Sequence, residues 1–142
     1  MCGVCGVFQP SRRMANPTAL LQDMTATLRH RGPDHSDVWV AQSGEVGFGH
    51  SRLAIVDLSE AGNQPMSSCN GRWTITYNGE IYNSDVLRAH LPSVRWRGHS
   101  DTEVLVEHIS RHGVPETLRA AKGMFAFGCW DAEKSELWLA RD

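Results

Sequence analysis

The chain opens Met1-Cys2-Gly3. A cysteine directly behind the initiator gains little from a core, because the first residues of a domain are usually frayed. Its chemistry is a better reason for it. Thiolate is the nucleophilic form, and a free thiol of pKa about 8.5 is mostly protonated at neutral pH, so it needs a base. Removal of Met1 would give Cys2 a free α-amine with a reference pKa of about 7.7 to 8.0. Nucleophile and base would then share one residue, acting directly or through a water, and Gly3 adds no side chain to obstruct the approach.

Two other stretches carry residue types that suit such a nucleophile. In Gly49-His50-Ser51-Arg52-Leu53-Ala54-Ile55-Val56-Asp57 a lone arginine sits in an otherwise apolar strand. A buried guanidinium is costly unless it meets an anion; it suits either a bidentate clamp on a small carboxylate or an internal ion pair. In Tyr77-Asn78-Gly79-Glu80-Ile81-Tyr82-Asn83 the Asn-Gly pair is either a hairpin turn or, as an amide beside a bare backbone N–H, two donors converging on one point. The second arrangement is what an oxyanion requires.

A competing reading starts from Cys2-Gly3-Val4-Cys5. This C-x-x-C is a redox pair or half of a metal site, and His108 and His112 lie four apart on a predicted helix. The two halves are separated by roughly a hundred residues, far from finger spacing, and no second C-x-x-C occurs. Cys5 therefore reads as an inward-facing strand residue, and the two histidines read as solvent-facing.

The elements that would hold these residues follow from pattern. Val4 to Phe8 is a short buried strand. Asn16-Pro17 starts a helix with Leu20, Leu21, Met24 and Leu28 on one face, ended by Gly32-Pro33. Asp37 to Gln42 and Val46 to Val56 are strands joined through Ser43-Gly44. Arg72 to Tyr77 alternates as a strand, Ser84 to His90 is a short helix, and Val94 to Arg97 a short strand. Ser100 to Glu103 is a capping box that opens a helix to about His112, with Gly113 at its end. Met124 to Trp130 and Glu136 to Ala140 are the arms of a hairpin. Strands come in antiparallel groups with helices between, so the class is α+β rather than doubly wound.

The 142 residues suit one domain. A net charge of −2, with basic residues scattered, excludes a nucleic-acid stripe. No apolar run approaches the ~20 residues of a membrane span, and the N-terminus has no basic and apolar regions of a signal peptide. A cytoplasmic protein with Cys2, Cys5, Cys69 and Cys129 reduced is expected. The strand at Leu137 to Ala140 runs almost to the last residue, which predicts a fragment of a longer protein.

Six motifs occur in register: Met1-Cys2-Gly3, Arg29-His30-Arg31-Gly32-Pro33-Asp34, Ser51 to Asp57, Tyr77 to Asn83, Ser100-Asp101-Thr102-Glu103 and Gly123-Met124-Phe125-Ala126-Phe127. From Met1 to Asp142 the chain resembles the N-terminal glutaminase domain of glutamine-hydrolysing asparagine synthetases, class II glutamine amidotransferases of the N-terminal-nucleophile hydrolase type. The resemblance implies a four-layer αββα sandwich, C-terminally truncated here. It implies Cys2 as nucleophile toward L-glutamine, Asn78 and Gly79 as the oxyanion site, and Arg52 on the α-carboxylate. Asp101 would take the α-ammonium with Glu80 nearby, and the backbone of Leu53, Ala54, Ile55 and Val56 would line the pocket. Cys5 departs from the small apolar residue usual there. The resemblance implies no cofactor in this domain, ATP and Mg²⁺ for a synthetase domain C-terminal to it, and a possible homodimer. A non-catalytic glutamine-binding or regulatory relative is the alternative, against which the presence of Cys2, Arg52, Asn78 and Asp101 argues.

Overall fold

A computed structural model describes residues 2–142 apart from Arg12 and Val56. In chain order the elements are β1 (Gly3–Phe8), α1 (Pro17–Thr27), β2 (His35–Val40), β3 (Val46–Arg52), β4 (Met66–Ser67), β5 (Trp73–Ile81), α2 (Ser84–Ala89), α3 (Asp101–His112), α4 (Val114–Ala120), β6 (Gly123–Asp131) and β7 (Glu136–Arg141). The strands form two antiparallel sheets, ordered β1-β3-β2 and β4-β5-β6-β7. Helix α1 packs on the first sheet, α3 packs on the second, and β5 meets β1 and β3 between them. The expected α+β class and helix–sheet–sheet–helix layering are both present. Among the described residues no helix is long and apolar enough to cross a membrane.

Local sequence explains the layers. Asn16 caps α1, its side chain accepting from Ala19 N, with Pro17 at the first helical position. Glycines on the α1 side of β3 let this helix lie close: a Cβ on Gly49 would fall 2.1 Å from Thr25 Oγ1. Ser100 caps α3, accepting from Glu103 N at 3.2 Å, and Gly113 at φ 80° ends it. The main core lies between α3 and the second sheet, where Ile75, Tyr77, Val104, Leu105, Ile109 and Phe127 are buried.

Between the two sheets the contacts are partly polar. Phe48 and Trp130 pack there with Val46 and Ala41. Thr76 Oγ1 donates to Gly49 O at 3.3 Å. His50, fully buried, has its Nε2 3.1 Å from Tyr77 O. A carbonyl only accepts, so Nε2 carries a proton, and the ring is neutral near pH 7 because its pKa is lowered. Burial, reinforced by the Arg52 charge, holds this imidazole down at about 4 against an ordinary 6.5.

Several expectations are corrected. Strand β3 stops at Arg52 instead of running to 56, and β5 continues through Asn78-Gly79 to Ile81, so this Asn-Gly is no hairpin turn. Helix α1 ends at Thr27 and tightens into successive turns up to Gly32. Residues 94–97 form no strand. The Glu103 carboxylate, wholly buried, captures Arg97 N and Nε and Gly98 N at 2.8 to 3.0 Å, and these ties replace a ladder. Strand β4 and helix α4 had no signal in the pattern. His108 is buried, not solvent-facing: its Nδ1 lies 2.9 Å from Thr117 Oγ1 on α4. Cys5 faces α1, its Sγ 3.4 Å from Thr25 Oγ1, and all four cysteines are free thiols.

The neutral His50 sets a pH dependence. Its folded pKa lies below its unfolded one, so above pH 6.5 neither state holds the proton and its contribution is complete. As pH falls from 6.5 toward 4 the unfolded state binds the proton first and stability declines, by at most about 1.4 kcal/mol per pH unit for one group. Urea midpoints measured across that window should fall with pH for the wild type. His50→Gln, which keeps a donor for Tyr77 O but cannot titrate, should show a shallower fall.

Candidate active site

Strand β1 delivers Cys2 one step beyond the Gly3–Ser51 pair that ends its ladder with β3. The chain has just left the ladder there, and Leu53 N–H donates to Cys2 Sγ at 3.4 Å. Arg31, from the turns after α1, donates Nε–H to Cys2 O at 3.1 Å and pins the cysteine backbone. The thiol faces a cavity of about 550 Å³ between the ends of the two sheets and the N-terminus of α3.

Arg52, the last residue of β3, is 7 % exposed. Nη1 donates to Ser59 O at 2.8 Å and Asn63 Oδ1 at 2.7 Å, and Nη2 donates to Asp57 O. All three acceptors are neutral. Among the described residues Arg52 forms no ion pair, so the internal ion pair that its sequence context also allowed is not formed. A guanidinium has five N–H donors; among the described residues the Nε–H and the second Nη2–H, adjacent and in one plane, have no acceptor. Gly62 is required beside it, since a Cβ there would lie 2.3 Å from Nη2. Asp57 supplies Arg52 with its carbonyl while its carboxylate is engaged elsewhere, accepting from Ser59 Oγ, Ser59 N and His99 N at 2.6 to 2.8 Å. These bonds, the Ser59 hydroxyl first, hold its pKa down at about 2.

Strand β5 provides the opposite wall. In an antiparallel strand alternate residues turn their N–H groups to opposite edges. On the edge away from β6, Ile75 pairs with β4, Tyr77 N–H goes to Gln64 Oε1 at 2.7 Å, and Ile81 N–H goes to Asp101 Oδ2 at 2.9 Å. Gly79 has the same parity, and among the described residues its N–H has no acceptor. A Cβ on Gly79 would come within 2.4 Å of Met124 O, so the glycine is needed for β6 to approach. Asn78 has the parity of Thr76, whose hydroxyl reaches the other sheet, so its side chain faces the sheet that carries Cys2.

Asp101 opens α3. Its Oδ2 accepts from Tyr77 OH at 2.6 Å as well as from Ile81 N. The residue also benefits from the positive end of the helix.

Of the residues singled out from the sequence, Cys2, Arg52, Leu53, Ile55, Asn78, Gly79, Glu80 and Asp101 all line this one cavity. Ala54 is not among the described lining residues; its N–H is tied to Asp34 Oδ2 at 2.8 Å. Val56 and Met1 lie outside the described residues. Gln64 and Tyr77 also line the cavity, and nothing in their local sequence marks them as site residues. Tyr77 was legible only as a core residue of an alternating strand, although a buried tyrosine hydroxyl usually has a partner to find. Cys2 and Cys5 have opposite strand parity, and among the described residues no three His, Cys, Asp or Glu side chains group to hold a metal.

Residues 1–142 match the glutamine amidotransferase domain. Asparagine synthetase [glutamine-hydrolyzing] 3 of Bacillus subtilis is 42% identical over 149 residues, covering 100% of this chain and 23% of that protein. Asparagine synthetase B [glutamine-hydrolyzing] of Escherichia coli is 34% identical over 143 residues, covering 100% of this chain and 25% of that protein. The chain thus spans about a quarter of the length of these relatives. The solved structure of glutamine phosphoribosylpyrophosphate amidotransferase from B. subtilis superposes with a TM-score of 0.74 at 22% identity, over 100% of this chain and 37% of that one. That likeness shows the shared fold, and the match along the full sequence shows the kinship: this chain belongs to the glutamine amidotransferase domain family.

Proposed function

We propose that the chain hydrolyses L-glutamine to glutamate and ammonia through a thioester on Cys2. The ammonia would serve an ATP-dependent amidation by a synthetase domain of the longer protein, as the names of the asparagine synthetase relatives suggest. ATP and Mg²⁺ would act in that domain, and no residue of this chain is assigned to them. The observation that carries the reading is the buried Arg52, a cation without an ion-pair partner among the described residues, in the same cavity as a thiol and a carboxylate. An L-amino acid presents the complementary set: carboxylate to Arg52, ammonium to Asp101, and side chain extending toward Cys2.

The steps follow from this placement. With Met1 removed, the α-amine of Cys2 accepts the thiol proton and the sulfur adds to the carboxamide carbon. The carbonyl oxygen becomes an oxyanion, received by Asn78 Nδ2–H and the spare N–H of Gly79. The C–N bond then breaks, the α-ammonium gives its proton to the departing nitrogen, and ammonia leaves. Water adds to the thioester carbon, glutamate departs, and the thiol is restored. Arg52 and Asp101 hold the part of the substrate that does not react. Their role is to fix the distance from the α-carbon to the sulfur.

Intact mass spectrometry tests the nucleophile. The purified protein should lack Met1 and gain one adduct from the glutamine-like electrophile diazo-oxonorleucine, and Cys2→Ala should gain none. Retention of Met1, or an adduct on Cys2→Ala, refutes the mechanism. An adduct without turnover of glutamine supports the non-catalytic relative instead.

Steady-state kinetics separate the two ends of the substrate. Asn78→Ala should lower kcat by about a hundredfold or more, the scale of one oxyanion donor. Arg52→Lys keeps the charge but loses the planar fork, and should raise KM roughly tenfold or more with kcat little changed. The reverse pattern in either variant contradicts the assigned roles.

A further inference from the structure

Tyr77 is joined to three parts of the cavity wall by three different polar groups. Its phenol donates to Asp101 Oδ2 at 2.6 Å. Its N–H donates to Gln64 Oε1 at 2.7 Å, and Gln64 Nε2 in turn donates to Thr102 Oγ1 at 3.2 Å. Its carbonyl accepts from His50 Nε2 at 3.1 Å. Strand β4, only two residues long, ends before it could pair with Tyr77, so two side chains satisfy the backbone there instead. The next residue along the chain is Asn78.

The consequence for Asp101 is geometric. Both donors on its carboxylate, Tyr77 OH and Ile81 N–H, converge on Oδ2. Two bonds to one oxygen from different directions fix the rotation of the carboxylate. Among the described residues Oδ1 receives no donor, and Asp101 lines the cavity. Burial and the adjacent Asp101 charge push the Tyr77 phenol far up, so it stays a donor across the working pH range.

We propose that Tyr77 is a positioning residue for substrate recognition: its hydroxyl turns Asp101 so that Oδ1 is presented to the α-ammonium of the bound amino acid, while its backbone, held by Gln64 and His50, places the oxyanion donor Asn78 one residue away. The inference rests on the glutaminase reading above and deepens it. Among the described residues the Tyr77 hydroxyl makes no hydrogen bond to the Cys2 thiol, so the side chain acts through Asp101 on binding and not on the chemical step. Loss of its hydroxyl should weaken substrates that carry an α-ammonium and leave Cys2 itself unaltered.

Tyr77→Phe in the full-length protein is the test. The change removes one oxygen, and Asp101 keeps the bond from Ile81 N, so strand and helix remain joined. KM for L-glutamine should rise roughly tenfold, the size of one lost hydrogen bond to a charged group, with kcat held within about twofold. Labelling of Cys2 by diazo-oxonorleucine, which carries an α-ammonium, should slow to a similar degree. Labelling by iodoacetamide, which carries none, should be unchanged. In an Asp101→Asn background Tyr77→Phe should add little, because the two residues act as one unit. An unchanged KM overturns the proposal, as does a fall in kcat at constant KM or a parallel change with both electrophiles. A wild-type protein that neither hydrolyses glutamine nor takes the glutamine-like label is a different result: it removes the glutaminase reading, and this inference with it.

Discussion

A guanidinium that is almost wholly buried and, among the described residues, makes no ion pair sets the terms for this domain. Arg52 is held by two backbone carbonyls and an asparagine side chain. These orient the group but carry no charge to offset its own. Removing a cation from water costs several kcal/mol after relaxation, and the dipoles of carbonyl groups return part of that. In the proposed function the rest would be met by the carboxylate of the amino acid that enters the cavity. The loop 57–63 is therefore a cradle whose shape matters more than its sequence polarity. It includes Gly62, which a side chain would drive into Nη2, and Asp57, which turns its carboxylate toward Ser59 and His99 and away from the arginine. Had that carboxylate swung onto Arg52, the charge would have been spent on a structural ion pair and the site would be closed to ligands.

The second constraint is the distance between the sheets. Cys2 and Arg52 belong to the first sheet, and Asn78 and Gly79 to the second. Apolar packing through Phe48 and Trp130 brings the sheets together but is not directional. The hydrogen bonds from Thr76 to Gly49 and from His50 to Tyr77 are directional, and they lie next to the site. His50 is two residues before Arg52, and Tyr77 is one before Asn78. One buried bond thus links the strand that carries Arg52 to the strand that carries Asn78 and Gly79. This explains a polar group at a fully buried position where a leucine would add apolar burial and cost nothing in desolvation.

The parts of this molecule that were legible in the sequence are those fixed by local chemistry. Asn16-Pro17 and Ser100 to Glu103 mark helix starts because their side chains meet backbone donors within three residues. The alternation of Trp73, Ile75 and Tyr77 marks a strand because successive side chains turn to opposite faces, and this face packs with α3 residues. Cys2, Arg52, Asn78 and Asp101 could be singled out because their types are expensive or odd where they stand. What stayed hidden depends on distant partners. Nothing near Val94 to Arg97 says that Glu103, on the next helix, will take its backbone N–H groups and leave no strand. His108 looks solvent-facing until Thr117 on α4 is seen to accept or donate to its ring. Tyr77 reads as core, which it is, while its hydroxyl is aimed at a carboxylate 24 residues later. The Asn-Gly pair misleads for a related reason: its local preference for a turn is overruled by nine consecutive pairings of β5 with β6.

These hidden features share one origin. A residue within a complete ladder has both its N–H and its C=O engaged, so it has no backbone donor to offer a ligand. The donors and acceptors of this cavity are found where ladders stop: Cys2 just before β1, Leu53 just after β3, and the outer edge of β5 past the two-residue β4. On that outer edge the groups that would be orphaned are taken one at a time, by Gln64 and His50 on Tyr77 and by Asp101 on Ile81, and Gly79 N–H is left between them. A longer β4 would have satisfied the whole edge and raised the stability of the sheet. It would also have replaced Gln64 with a strand, withdrawn the N–H of Gly79 from the cavity, and left Asp101 to find another donor. The short strand is thus the feature on which the proposed oxyanion site would depend, because it exposes one backbone donor while side chains from β3, α3 and the segment before β4 cover its neighbours.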